Sequence, residues 1–123
     1  MPPQKLDNYL LAFRKRSGLT QREVAFLLGC ENEALVSRYE KRRRLPPLRT
    51  TLACEAIFGA PVAALFAGLS EAARKEIAKR LLLLKARLEA NPGKGSDARL
   101  TAHKLRWLAD RQGITSENSQ TIT

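Results

Sequence analysis

The sequence predicts an all-α protein, and three observations carry that prediction. Apolar residues recur at helical spacing along most of the chain, while the alternation expected of a half-buried strand is absent. Residues with branched β-carbons, which favour strands, are sparse before the C-terminal tail. Glycine and proline fall between the periodic segments, where they end one helix and start the next.

The first helix is expected from Leu6 to Arg16, with Leu6, Leu10 and Phe13 on one face and Tyr9 beside them. Ser17-Gly18 closes it, because glycine tolerates the left-handed conformation of a helix end. The next segment opens on Thr20-Gln21-Arg22-Glu23, the pattern of a capping box. The Thr20 hydroxyl can accept from the Glu23 amide while the Glu23 carboxylate reaches back to the Thr20 amide. Leu19 and Val24 flank the box as a hydrophobic staple. This helix stops at Gly29, too short to persist without packing on a neighbour.

A third helix starts near Asn32, a good N-cap residue. Its apolar side carries Leu35, Val36 and Tyr39, and it ends within Lys41–Arg44, whose cations suit a helix C-terminus. After Leu45-Pro46-Pro47, proline chemistry favours a fourth helix, from Leu48 to Phe58, closed by Gly59. Pro61 opens a fifth, through Phe66. Ser70 is expected to cap a long helix that reaches Ala90. Ile77, Leu81, Leu84 and Leu88 form one stripe on it, and Leu82 and Leu83 fall off that stripe on either side. Asn91–Ser96 reads as a loop. A last helix spans Asp97 to Gln112, ended by Gly113, and Thr115–Thr123 is expected to be a disordered polar tail.

Charge narrows the partners. The chain carries 22 Lys and Arg against 12 Asp and Glu, a net charge of +10. The excess is spread evenly, with 11 bases and 6 acids in each of the segments 1–69 and 70–123. Such a field favours a phosphate-rich or acidic partner. Cys30, Cys54 and the single His103 fit no zinc set, and the cysteines read as small buried hydrophobes of a reducing compartment. The N-terminus lacks the charged-then-apolar design of a signal peptide, and the longest aliphatic run, Leu81–Leu84, is far short of a membrane span. The expected location is therefore the cytoplasm. No pattern of paired carboxylates, nucleophile with base, or glycine-rich loop after a strand suggests an enzyme, and no cofactor is expected.

Two short helices around a glycine turn outline a helix-turn-helix. Gln21, Ala25 and Gly29 are spaced four apart: a polar residue opening the helix, a small one where the next helix approaches, and the turn. With LTQREVAFLLG (Leu19–Gly29), VSRYE (Val36–Glu40), the LPPL that follows and PVAALF, the sequence resembles the phage-repressor or Cro-like (XRE-type) helix-turn-helix family over Leu6–Phe66. The resemblance implies a compact five-helix repressor-like domain, residues 1–69; the two further helices in 70–123, read from their own periodicity, complete the all-α architecture. The resemblance also implies double-stranded DNA as the ligand, a third helix in the major groove, and a homodimer.

By the same resemblance Glu33, Ala34, Ser37 and Arg38 take the base-contacting positions. Arg38 suits guanine O6 and N7, and Glu33 suits the amino group of cytosine. Glu31 and Glu33 equally suit the positive end of their own helix. Phosphate contacts are expected from Gln21 and Arg22 at the start of the second helix, from Asn32, and from Lys41, Arg42, Arg43 and Arg44. The family pattern also pairs Arg14 with Glu40. Two departures stand out. The turn around Cys30-Glu31-Asn32 has one extra residue, and Glu55 replaces a small apolar residue, suggesting an arginine partner.

Two functions fit. One is a sequence-specific transcriptional regulator that reads a two-fold operator as a homodimer. The other uses the same fold as a protein-interaction module, an antitoxin or a transcription adaptor, with a protein partner. Leu82, Leu83 and Trp107 suit either a dimer interface or an intramolecular helical pair.

Overall fold

A computed structural model describes residues 6–30 and 32–120, with side chains through residue 113. Among the described residues there are seven helices and no strand. They are α1 (Leu10–Ser17), α2 (Gln21–Leu27), α3 (Glu33–Glu40), α4 (Leu48–Phe58), α5 (Val62–Leu65), α6 (Ala67–Ala90) and α7 (Ser96–Gln120). The chain divides into two units, Met1–Glu71 and Ala72–Thr123.

In the first unit the apolar positions of α1 to α5 converge on two touching clusters. Leu10, Tyr39, Cys54, Ala60, Leu65 and Phe66 form one, and Val24, Ala25 and Val36 form the other. Leu28 and Phe58 pack against both, so α2 and α4 tie the clusters together. Phe13 meets Phe58 with ring centroids 6.3 Å apart, a spacing at which tilted rings attract. Burying these side chains is what makes helices of seven and eight residues persist.

Residues 6–9 are not helical, so α1 starts later than the apolar spacing suggested. The cause is Asn8. Its buried amide donates to the Tyr39 carbonyl at 3.0 Å, and its Oδ1 accepts from the Leu10 amide at 3.3 Å. Next to it the Tyr9 amide donates to the Leu65 carbonyl at 2.7 Å. The segment thus spends its polar groups on α3 and α5, which a first helical turn would forbid.

Three further expectations are corrected. Ser70 does not cap α6; its amide donates to the Phe66 carbonyl, and the helix already runs from Ala67. Gly113 does not end α7, which continues to Gln120 through the expected tail; residues 121–123 lie outside the described region. Gly113 lies outside the left-handed region, and glycine inside a helix costs only about 1 kcal/mol. Glu55 takes no arginine among the described residues: its Oε1 accepts from the Val62 amide at 2.9 Å and so caps α5.

The second unit holds the remainder of α6 and α7. The Thr101 hydroxyl donates at 2.9 Å to the carbonyls of Pro92 and Asp97, which ties the 91–95 connection to α7. Cys54 is buried and Cys30 half-buried, both as free thiols; Cys30 is thus less enclosed than expected.

A candidate nucleic-acid interface

The start of α2 is set by local chemistry alone. The Thr20 hydroxyl accepts from the Glu23 amide at 3.1 Å, and the Glu23 carboxylate accepts from the Thr20 amide at 2.9 Å, completing the capping box. Its end is equally well defined. Gly29 has φ +73, its amide donates to the Phe26 carbonyl at 3.1 Å, and the Cys30 amide donates to the Ala25 carbonyl at 2.8 Å. That pair of bonds is a Schellman closure, which at this position turns the chain out of α2 toward α3.

Asn32 then caps α3, its side-chain oxygen accepting from the Ala34 amide at 2.9 Å. Glu31 lies outside the described residues. At about 100° per residue, Glu33, Ala34, Ser37 and Arg38 cover about 140° of α3. Val36 and Tyr39 are buried on the opposite side. α3 thus turns its apolar side inward. Glu33 and Arg38 are exposed, while Ala34 and Ser37 are half-buried. Among the described residues the Arg38 guanidinium has no hydrogen-bonding or ionic partner, so its five donors are available to a ligand.

α3 is braced by a buried polar cluster. Arg14 Nε and Nη2 donate to the two Glu40 carboxylate oxygens at 2.6 and 3.2 Å. Arg14 Nη1 donates to the Leu19 carbonyl at 3.1 Å, and Gln21 Nε2 donates to Glu40 Oε1 at 3.0 Å. The Arg14 and Glu40 side chains are 15% and 4% exposed. One carboxylate thus joins α1, the start of α2 and the end of α3. Gln21, expected at a phosphate, is turned to this brace by its side-chain amide.

The cations surround α3. Arg22 is exposed in the first turn of α2, where backbone amides are unpaired. Lys41, Arg42, Arg43 and Arg44 are all exposed in the segment after α3. Arg42 is the only non-glycine residue with positive φ among the described residues, at +62. Its amide donates to the Tyr39 carbonyl and that of Arg43 to the Arg38 carbonyl, at 3.1 and 2.9 Å. This second Schellman closure carries arginine where glycine is usual. An L-residue there costs roughly 1–2 kcal/mol, so the charge is placed at the expense of backbone ease.

Two features had no sequence signal. Asn8 anchors the end of α3 from a residue that reads as part of a helix. Phe26 is 81% exposed and, with Arg22, Ala25, Cys30, Asn32 and Glu33, lines a hollow of about 480 Å³ between α2 and the start of α3. By its spacing Phe26 reads only as another apolar helix residue.

Among the described residues no group of three His, Cys, Asp or Glu side chains is placed to hold a metal, and none of the described helices is long and apolar enough to cross a membrane.

Residues 8–67 match the family model described as a helix-turn-helix domain, within the XRE/Cro-like group. No curated protein and no solved structure matches the chain.

Proposed function

Because residues 8–67 form a helix-turn-helix domain of the XRE/Cro-like group, we propose that the chain is a sequence-specific transcriptional regulator acting as a homodimer in the cytoplasm. It reads a two-fold operator in double-stranded DNA without catalysis or cofactor. The observation that carries this is α3. One of its sides is locked into the core by Val36 and Tyr39 and braced through Glu40, and the other presents Glu33 and unpartnered Arg38 among Arg22 and Lys41–Arg44.

Each part then has a task. Arg38 pairs with guanine, and Glu33 accepts from the amino group of cytosine. Ala34 and Ser37, between them on α3, approach base edges closely because they are small. Arg22 and the 41–44 cations hold phosphates and set register, and the Asn32 cap keeps the start of α3 fixed while it does so. The acid at the start of α3 is then consistent with the basic surroundings: the cations supply attraction, and the carboxylate discriminates. The homodimer would set two copies of α3 on half-sites about 34–36 Å apart or a multiple of that.

Selecting bound sites from a random duplex pool with the full chain tests the proposal. A palindromic consensus containing G·C pairs at equivalent positions of each half supports it. Retention of all sequences alike at moderate salt would overturn it.

A further inference from the structure

Phe26 is the most exposed large apolar side chain among the described residues, at 81%. An exposed phenylalanine is ordinary by itself; its surroundings set this one apart. It follows Arg22 by one turn of α2, so the two side chains share a side of that helix. Both line the hollow between α2 and the start of α3, together with Ala25, Cys30, Asn32 and Glu33. Arg22, Asn32 and Glu33 are groups that the DNA-binding reading sets against phosphates and a base edge. A duplex seated on α3 therefore covers this hollow, and Phe26 meets the part of the duplex that passes between Arg22 and Glu33.

The chemistry of the ring selects that part. A phenyl group makes no conventional hydrogen bond. The nitrogens and oxygens that bases expose in the major groove would lose water against it and gain no partner. The C5-methyl of thymine is the apolar group on that edge. The hollow around the ring is also weakly polar. Ala25 is apolar, and Cys30 is a free, half-buried thiol, soft and a poor donor. The Asn32 side-chain oxygen is already engaged by the Ala34 amide at 2.9 Å. The charged lining groups, Arg22 and Glu33, come from opposite walls, α2 and α3.

We propose that Phe26 reads the methyl group of a thymine in the major groove, beside the base that Glu33 contacts. The inference rests on the DNA-binding reading above and adds a specificity residue from α2 to those of α3. One helical turn separates Arg22 from Phe26 by ~6 Å, about two base steps of 3.4 Å, so the phosphate and the thymine fall within one half-site. The ring acts in two ways. It gains contact with a methyl, and it rejects a base edge that presents only polar atoms there.

Replacing thymidine by deoxyuridine removes that methyl and nothing else, so the central test leaves the protein unchanged. With the full chain on its selected operator, each thymine of one half-site is replaced in turn and affinity is read by fluorescence anisotropy. At one position the loss should be about 4-fold, the worth of one buried methyl group. Phe26→Ala should abolish the difference at that position, and Leu27→Ala should keep it. Leu27 is the control because it is also exposed, at 52%, and does not line the hollow. Circular dichroism checks that both variants keep their helices. An operator without such a thymine, or a methyl effect that survives in Phe26→Ala, overturns the assignment and leaves the DNA-binding reading standing. A chain with no sequence preference overturns both. If Phe26→Ala binds every duplex as the wild type does but fails in transcription with purified polymerase, the ring serves a protein partner and the proposal falls.

Discussion

Replacing Arg14 by alanine should destabilise the Met1–Glu71 unit by about 3–5 kcal/mol, the usual cost of breaking a buried ion pair from one side. The structure supports that size independently. Glu40 is 4% exposed and would lose two charge-assisted bonds, at 2.6 and 3.2 Å, keeping only the Gln21 amide. Hydrogen bonds to charged groups contribute about 1.5–3 kcal/mol each, so two of them reach the same range. The Leu19 carbonyl loses its Arg14 donor as well. Because the chain divides into two units, amide exchange at Val36 and Tyr39 is a cleaner readout than total ellipticity. Arg14→Ala, Glu40→Gln and the double variant complete a cycle whose coupling should be about 2 kcal/mol or more. The coupling should change little between low and high salt, since water is excluded from the pair. A destabilisation below about 1 kcal/mol, or a coupling near zero, would mean that the pair is solvated and does not fix α3.

Other outcomes follow from the same geometry. Arg38→Ala should weaken binding to a selected site by about 1–3 kcal/mol and relax preference at one base pair per half-site, whereas Arg43→Ala should weaken all sequences alike and flatten the dependence of log K on log salt by about 0.9; gel shifts across a salt series separate the two. Arg42→Gly should raise stability by about 0.5–1 kcal/mol in urea unfolding, as the left-handed penalty of about 1–2 kcal/mol exceeds the entropy cost of glycine, while flattening the salt dependence like Arg43→Ala. Burial pushes the Cys54 thiol up to about 11 from 9.0. Below about pH 9 it is neutral in both folded and unfolded chains and its contribution is complete. From about 9 to 11 only the unfolded chain ionises, so roughly 2–3 kcal/mol is lost. The stability gap between wild type and Cys54→Ala should shrink accordingly across that window. At pH 8 a thiol reagent should label half-buried Cys30 well before Cys54.

The elements governed by neighbours in sequence were legible without coordinates. Thr20 and Glu23 are three residues apart, so their capping box follows from spacing, and Gly29 announces a turn because few other residues accept its φ. The alternation of Val36 and Tyr39 with Glu33, Ser37 and Arg38 likewise separates an inner from an outer side of α3 through helix geometry. Local rules failed where a polar group had a distant partner. Asn8 leaves helix α1 to reach Tyr39, 31 residues away. Gln21 turns to Glu40, and Glu55 caps Val62 in place of an arginine. Gly113 reads as a stop, yet the helix passes through it, because a glycine that does not take the left-handed conformation ends nothing and costs only about 1 kcal/mol.

By itself the sequence determined where α2, α3 and α4 lie, which of their sides are apolar, and that the chain is cationic throughout, because helical period, capping and net charge depend on residues within a turn or two of one another. Only the tertiary structure decided which polar side chains are spent inside and which remain for a ligand. Gln21 opens α2 as its spacing suggests, yet its amide is spent on Glu40, and Glu55 accepts from the Val62 amide in place of an arginine. Whether a polar side chain is spent inside depends on what other segments bring within 3 Å of it, and no local pattern encodes that distance.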